Sequence, residues 1–199
     1  MGYYTEREQV FESLYLSELQ GQIQASPYLA VNNLNRDFVG TKGFSVVFRR
    51  TALLEVIRRF PWFRPYLDVA LLPDCNAFYL NPLLLKNGSR VDPHIDRSLR
   101  SYCKTIDPPS AVSVLYVNVP TDLDGGELIL RTPRKQVGQI LPQAGKLVLF
   151  QGDLTHSVRA VTSTSSRLSL VCEQYCLDEK ELSDIPELTI ETRATRVKI

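Results

Sequence analysis

Apolar and polar positions follow two different rhythms along the chain, and the change falls near Cys75. Upstream, Phe11, Leu14, Tyr15, Leu19 and Ile23 recur at helical spacing, as the buried stripe of an amphipathic helix does. Thr5 followed by Glu8 has the form of a capping box, in which each side chain satisfies an orphan N–H. A helix is therefore expected over roughly residues 6–24. Segment 44–48, FSVVF, reads as a strand. Thr51 stands where it would cap a second helix carrying Leu53, Leu54, Ile57 and Phe60. Pro61 stops that helix, and Pro65 opens another short one through Leu71.

From Cys75 onward the runs AFYLNPLLL, AVSVLYVNV, GELILRT, KLVLF, HSVRAV and RLSLVCEQY are short and β-rich, with Gly, Pro, Asp and Ser clusters between them. Asp124-Gly125-Gly126 is a turn signal, since Asp and Gly tolerate the positive φ of a tight hairpin. An acidic stretch from Asp178 to Glu191 gives way to a basic end, Arg193, Arg196 and Lys198. This pattern predicts a mainly β fold with flanking α-helices, an antiparallel sandwich or jelly roll with the N-terminal helices packed on the outside. One domain is expected, with residues 1–73 as helical support, 74–176 as the β core and 177–199 as an extension.

Composition narrows the function classes. The 199 residues are 44% apolar and 23% charged, with a formal net charge of +1. That is an ordinary globular profile, with no global field to draw in nucleic acid or an anionic membrane. No apolar run approaches the ~20 residues needed to span a bilayer. The stretch MGYYTEREQVFESLYL carries charges where a signal peptide has its apolar segment. Cys75, Cys103, Cys172 and Cys176 show no C-x-x-C pairing, so reduced thiols in a cytoplasmic setting are expected rather than a disulfide scaffold or zinc site.

The chain has two histidines, each at the edge of a predicted strand. His94 precedes Asp96 by two residues, and in extended backbone such side chains share a face. His156 would complete the site from a neighbouring strand. Two imidazoles and one carboxylate on one side of an ion leave adjacent positions open, which suits non-haem iron(II). A lone His-x-Asp arises readily by chance, so the residues that follow matter. Arg167 and Ser169 form R-x-S on the last strong strand, again on one face. A guanidinium fork and a hydroxyl together grip a carboxylate, and Tyr79, fifteen residues before His94, is a further donor candidate.

The order Tyr79, Gly88, Val91, His94, Asp96, Ser98, Leu99 resembles the metal-binding stretch of plant-type 2-oxoglutarate/iron(II) oxygenases, with a longer Gly–Val gap. Downstream, Gly125-Gly126-Glu127-Leu128 and then Pro142, Gly145, Leu147, Phe150, His156, Val158, Val161 and Arg167 resemble the prolyl-4-hydroxylase-like branch of the Fe(II)/2-oxoglutarate-dependent dioxygenase superfamily. The resemblance implies a double-stranded β-helix, or distorted jelly roll, with Fe(II) on His94, Asp96 and His156. It implies 2-oxoglutarate anchored by Arg167, Ser169 and Tyr79, and ascorbate as reductant. It also implies hydroxylation of a C–H bond in a small metabolite, amino acid or protein side chain, with release of succinate and CO2. Halogenases of this kind lack the carboxylate, so Asp96 points to hydroxylation or desaturation. Prolyl hydroxylases usually carry a tyrosine about ten residues before the first histidine, where this chain has Leu83, Leu84 and Leu85.

Substrate clues are fewer. Arg97, Arg100 and Lys104 follow the metal motif, Arg90 precedes it, and Arg131 lies on a later strand. They would favour an anionic small molecule or acidic peptide at the barrel rim. Two other readings stay open: a cupin-like dioxygenase without 2-oxoglutarate, and a non-catalytic metal- and 2-oxoglutarate-binding sensor.

Overall fold

A computed structural model of the chain describes residues 2–31 and 37–193; Arg196 and Lys198 of the basic end lie outside them. In chain order the longer elements are β1 (Tyr4–Arg7), α1 (Ser13–Ala25), β2 (Ser45–Arg49), α2 (Leu53–Arg59), α3 (Arg64–Ala70), β3 (Ala77–Leu85) and β4 (Arg90–His94). There follow β5 (Ala111–Asn118), β6 (Leu128–Arg131), β7 (Gln136–Ile140), β8 (Leu147–Gln151), β9 (Thr155–Val158), β10 (Arg167–Tyr175), α4 (Glu179–Asp184) and β11 (Leu188–Glu191).

Two nine-residue strands, β3 and β10, pair antiparallel along their whole length, Arg167 opposite Leu85 and Tyr175 opposite Ala77. Their residues alternate between two apolar layers. Phe78, Leu80, Leu84, Leu168, Leu170 and Cys172 face a cluster with Leu19 and Ile23 of α1, Val56 of α2 and Tyr66 of α3. Leu83 and Leu85 turn the other way, into a second cluster. The major sheet runs β1-β8-β5-β10-β3, and β2 adds to β3 with β11 on its outer edge. A smaller sheet runs β7-β6-β9-β4, with Phe38–Val39 at its edge. Val91, Leu128, Leu130 and Val158 of the smaller sheet pack on Val112, Val114, Tyr116 and Phe150 of the larger one. These antiparallel sheets, closed face to face with helices on the outer side, form the expected double-stranded β-helix.

Several boundaries depart from the sequence reading. The first helix begins at Ser13, not near residue 6, because Tyr4–Arg7 is a strand against β8, Arg7 opposite Leu147. Glu6 and Glu8 pair with Lys146 Nζ at 3.0 and 3.8 Å, so Glu8 caps nothing. Gln9, at φ 49°, turns the chain away from the sheet. The free edge of β8 thus outcompetes the local helical pattern. Leu14 and Leu54, which helical spacing assigns to the apolar stripes, are exposed. Thr51 does not cap α2; its hydroxyl donates to Glu187 Oε2 at 2.7 Å. Pro61 and Pro65 act as expected, each near the start of a new helical turn. Gly125 and Gly126 both have φ 75°. They do not close a two-residue hairpin, however, because Asp124–Gly125 pairs with Val161–Thr162. A Cβ on Gly125 would lie 2.0 Å from Ala160 O, so only glycine permits that approach.

Candidate metal and co-substrate site

The smaller sheet brings the two histidines together. β4 and β9 pair with His94 directly opposite His156, and the rings lie 4.4 Å apart. Asp96, just beyond the end of β4, completes the group. His94 Nε2 is 3.2 Å from Asp96 Oδ1, and His156 Nε2 is 3.4 Å from Asp96 Oδ2. Each ring nitrogen on the far side meets a backbone carbonyl, His94 Nδ1 at 2.8 Å from Asp92 O and His156 Nδ1 at 3.2 Å from Leu154 O. With Nδ1–H donating there, the proton that each ring can give up is the one on Nε2, which leaves at Nε2 the lone pair a metal ligand needs.

Asp96 is 7% exposed, and its Oδ2 has no hydrogen-bond partner. Burial disfavours its charged form, yet the two imidazoles outweigh burial and hold the carboxyl well below the ordinary carboxylate range. For His94, burial pulls the pKa down, and the Asp96 carboxylate more than reverses it. Three ligand atoms within 4.8 Å of one another, one an unsatisfied buried oxygen, fit a divalent cation.

The other end of the same cavity is cationic. Arg167 is 2% exposed; its Nη1 donates to Gly126 O at 2.9 Å and its Nη2 to Ser169 Oγ at 3.1 Å. The guanidinium carbon lies 4.8 Å from the centre of the Tyr116 ring. Arg167 Nε and the Tyr116 hydroxyl are both buried without a partner. Burial depresses the Arg167 pKa and, against the pull of that arginine, raises the Tyr116 phenol. Unpaired donors in an apolar cavity that also touches His94, Asp96 and His156 fit an anionic ligand lying between guanidinium and metal.

Not every expected residue joins this site. Tyr79 was expected beside Arg167, but on β3 it lies six positions from Leu85, which faces Arg167, and its hydroxyl donates to Glu191 Oε2 at 3.3 Å. Tyr116 stands in the expected place instead, opposite Ser169 on β5. No local motif announces it; only strand register does. Arg97 lines an open pocket of about 390 Å³ beside the metal ligands. Arg100 is tied to its own loop, donating to Ile106 O at 2.6 Å. Arg131 follows Leu130, which pairs with His156, so alternation turns it outward, toward Gln136. Glu173 and Glu191, neither anticipated, line the open pocket. Ser98 Oγ donates to Glu173 Oε1 at 2.5 Å, and Tyr175 donates to Oε2. Burial and the Asp96 charge push the Glu173 carboxyl up to about 8.

Against known proteins, a family model described as the 2OG-Fe(II) oxygenase superfamily matches residues 79–172. No curated protein matches the chain at a significant level. Among solved structures, a Pseudomonas putida prolyl-4-hydroxylase is 19% identical, with a TM-score of 0.60 over 89% of this chain and 95% of that one. A Trichoplax adhaerens prolyl hydroxylase, solved with a hypoxia inducible factor peptide fragment, is 17% identical (TM-score 0.61, 92% and 87% covered). HygX from Streptomyces hygroscopicus, solved with nickel and 2-oxoglutarate, is 12% identical (TM-score 0.55, 86% and 82% covered). At these identities the likeness is one of fold.

Proposed function

We propose that this chain, which belongs to the 2OG-Fe(II) oxygenase superfamily through residues 79–172, hydroxylates a C–H bond of a residue-sized substrate. The observation that carries the reading is one cavity with three converging metal-ligand atoms at one end and, at the other, a buried guanidinium whose Nε has no partner. His94, Asp96 and His156 would hold Fe(II) on one side. Arg167, Ser169 and Tyr116 would take the distal carboxylate of 2-oxoglutarate. When bound, iron(II) with 2-oxoglutarate supplies dioxygen activation coupled to decarboxylation, which yields succinate and CO2.

The protein's own share is positional. Asp92 O and Leu154 O fix the imidazole tautomers, and Arg167 orients the co-substrate from the floor. Leu83, Val112 and Val114 keep that floor dry. The substrate would enter through the open pocket lined by Tyr79, Asn81, Glu173 and Glu191. Those walls suit a neutral or cationic group better than the anion expected from Arg97, Arg100 and Arg131. Ascorbate would restore ferrous iron after uncoupled turnover.

The test is succinate release from 2-oxoglutarate by protein supplied with Fe(II) and ascorbate, first alone and then with a panel of amino acids and capped peptides. Slow release alone and faster release with a neutral or basic panel member is the expected result. Metal and 2-oxoglutarate binding with no succinate from any mixture would make the chain a sensor module instead.

A further inference from the structure

Cys75 and Cys176 are 101 residues apart in sequence, yet their sulfurs lie 3.1 Å apart. The contact is built into the backbone. Asn76 N donates to Tyr175 O at 2.8 Å. The Asn76 side chain then clasps Leu177, Nδ2 donating to Leu177 O at 2.8 Å and Oδ1 accepting from Leu177 N at 2.9 Å. Cys176, between those two partners, is thereby held level with Asn76, its sulfur beside that of Cys75. On its other side Cys75 is secured where Arg50 Nε donates to its carbonyl at 2.6 Å. The two thiols differ in access, since Cys75 is 1% exposed and Cys176 is exposed.

We propose that Cys75 and Cys176 are an oxidative modification site, at which a hydroperoxide converts the thiol pair to a disulfide joining the start of β3 to the end of β10. The exposed Cys176 thiolate attacks the peroxide oxygen. The O–O bond breaks, the departing oxygen takes up the proton that the Cys176 thiol gave up and leaves as alcohol or water, and Cys176 becomes a sulfenic acid. The Cys75 sulfur then attacks the Cys176 sulfur; the S–S bond forms, the S–O bond breaks, and hydroxide leaves with the Cys75 proton as water. Two thiols and one hydroperoxide give one disulfide, one alcohol and one water, the sulfurs losing the two electrons that the peroxide gains.

The arrangement assigns the order of events. Burial first, and then the Cys176 contact, push the Cys75 thiol up to about 12, so it stays protonated and closed to solvent oxidants until a sulfenic acid forms beside it. The sulfurs must close by about 1 Å to reach bonding distance, within the range of side-chain rotation. The covalent loop would enclose β3 through β10, and with them His94, Asp96, His156 and Arg167. Cross-linking a loop of this length restricts the unfolded chain most strongly, so a rise in melting temperature on the order of 10 °C is expected.

The test uses the full chain purified under reducing conditions, with a chelator present so that iron does not consume the oxidant. It is treated with hydrogen peroxide or tert-butyl hydroperoxide, denatured, and its free thiols counted. Expected are two thiols fewer, a non-reducing peptide map joining the Cys75 and Cys176 peptides, and a higher melting temperature reversed by dithiothreitol. Cys176→Ser, a change at an exposed position, should fold and lose all three effects. An unchanged thiol count, sulfinic acid at Cys176 without a cross-link, or a bridge to Cys103 or between chains would each overturn the proposal.

Discussion

Replacing Arg167 with methionine separates binding from folding. Among the described residues the partners of this guanidinium are the Gly126 carbonyl, the Ser169 hydroxyl and the Tyr116 ring face, none of them anionic. Without co-substrate the charge is therefore buried and uncompensated. Methionine removes that cost while losing two hydrogen bonds, so the unliganded variant should unfold within about 2 kcal/mol of the parent protein. Co-substrate binding behaves differently. Two charge-assisted bonds at roughly 1.5–3 kcal/mol each amount to about 3–6 kcal/mol, or two to four decades in Kd at about 1.4 kcal/mol per decade. Titrating manganese-loaded protein with N-oxalylglycine, an unreactive 2-oxoglutarate mimic, measures this directly. At a ligand concentration of a hundred times Kd the parent protein gains about 2.7 kcal/mol, or roughly 5–11 °C in melting temperature, and the variant at the same concentration should gain no more than about 0.4 kcal/mol. A Kd changed by less than about threefold would refute the assignment of Arg167 as the anchor.

Tyr116→Phe should weaken N-oxalylglycine binding by about tenfold and leave unliganded stability level or slightly improved, since the hydroxyl it removes is buried and unpaired; equal affinities would exclude that phenol from the site. His94 has its folded pKa raised, so its proton stabilises the metal-free protein below about pH 6.5 and that contribution is lost as pH rises through the folded value. The same proton competes with metal, so the thermal shift produced by Mn(II) should grow from pH 5.5 to 8.5 and vanish in His94→Ala; a flat profile would contradict the ligand assignment. Glu173, pushed up to about 8, contributes stability below its unfolded value near 4.3 and loses it as pH rises through its folded one. Urea unfolding should then show Glu173→Gln gaining on the parent protein between pH 6 and pH 9.5, and a gap that does not widen would show that this carboxyl is not the group responsible.

What was legible in the sequence is what depends on short-range alternation. His94 and Asp96, and again Arg167 and Ser169, are two residues apart, and extended backbone alone sets such pairs on a common side. What was not legible depends on register between distant strands. Tyr116 enters the site because β5 lies beside β10 with Tyr116 opposite Ser169, and nothing near position 116 encodes that pairing. Tyr79 was misplaced for the same reason, its distance from Arg167 being set by the β3–β10 register. The helical pattern overruns the true start of α1 because residues 4–7 answer to a partner strand 140 or more positions away. The Cys75–Cys176 contact, which spacing rules for paired cysteines cannot find, is likewise a product of sheet pairing.

Because β10 presents Arg167, Ser169, Val171 and Glu173 to the cavity and Leu168, Leu170 and Cys172 to the helices, its tolerance to indels and to point changes should differ sharply. Deleting one codon between positions 168 and 172 would exchange the two sets on one side of the lesion, sending hydrocarbon toward the metal or a guanidinium under the helical roof. Conservative swaps among Leu168, Leu170 and Cys172 should leave catalysis intact. For anyone building libraries on this scaffold, length in this segment is the variable to hold constant, and side-chain identity on its helix-facing half is the one to vary.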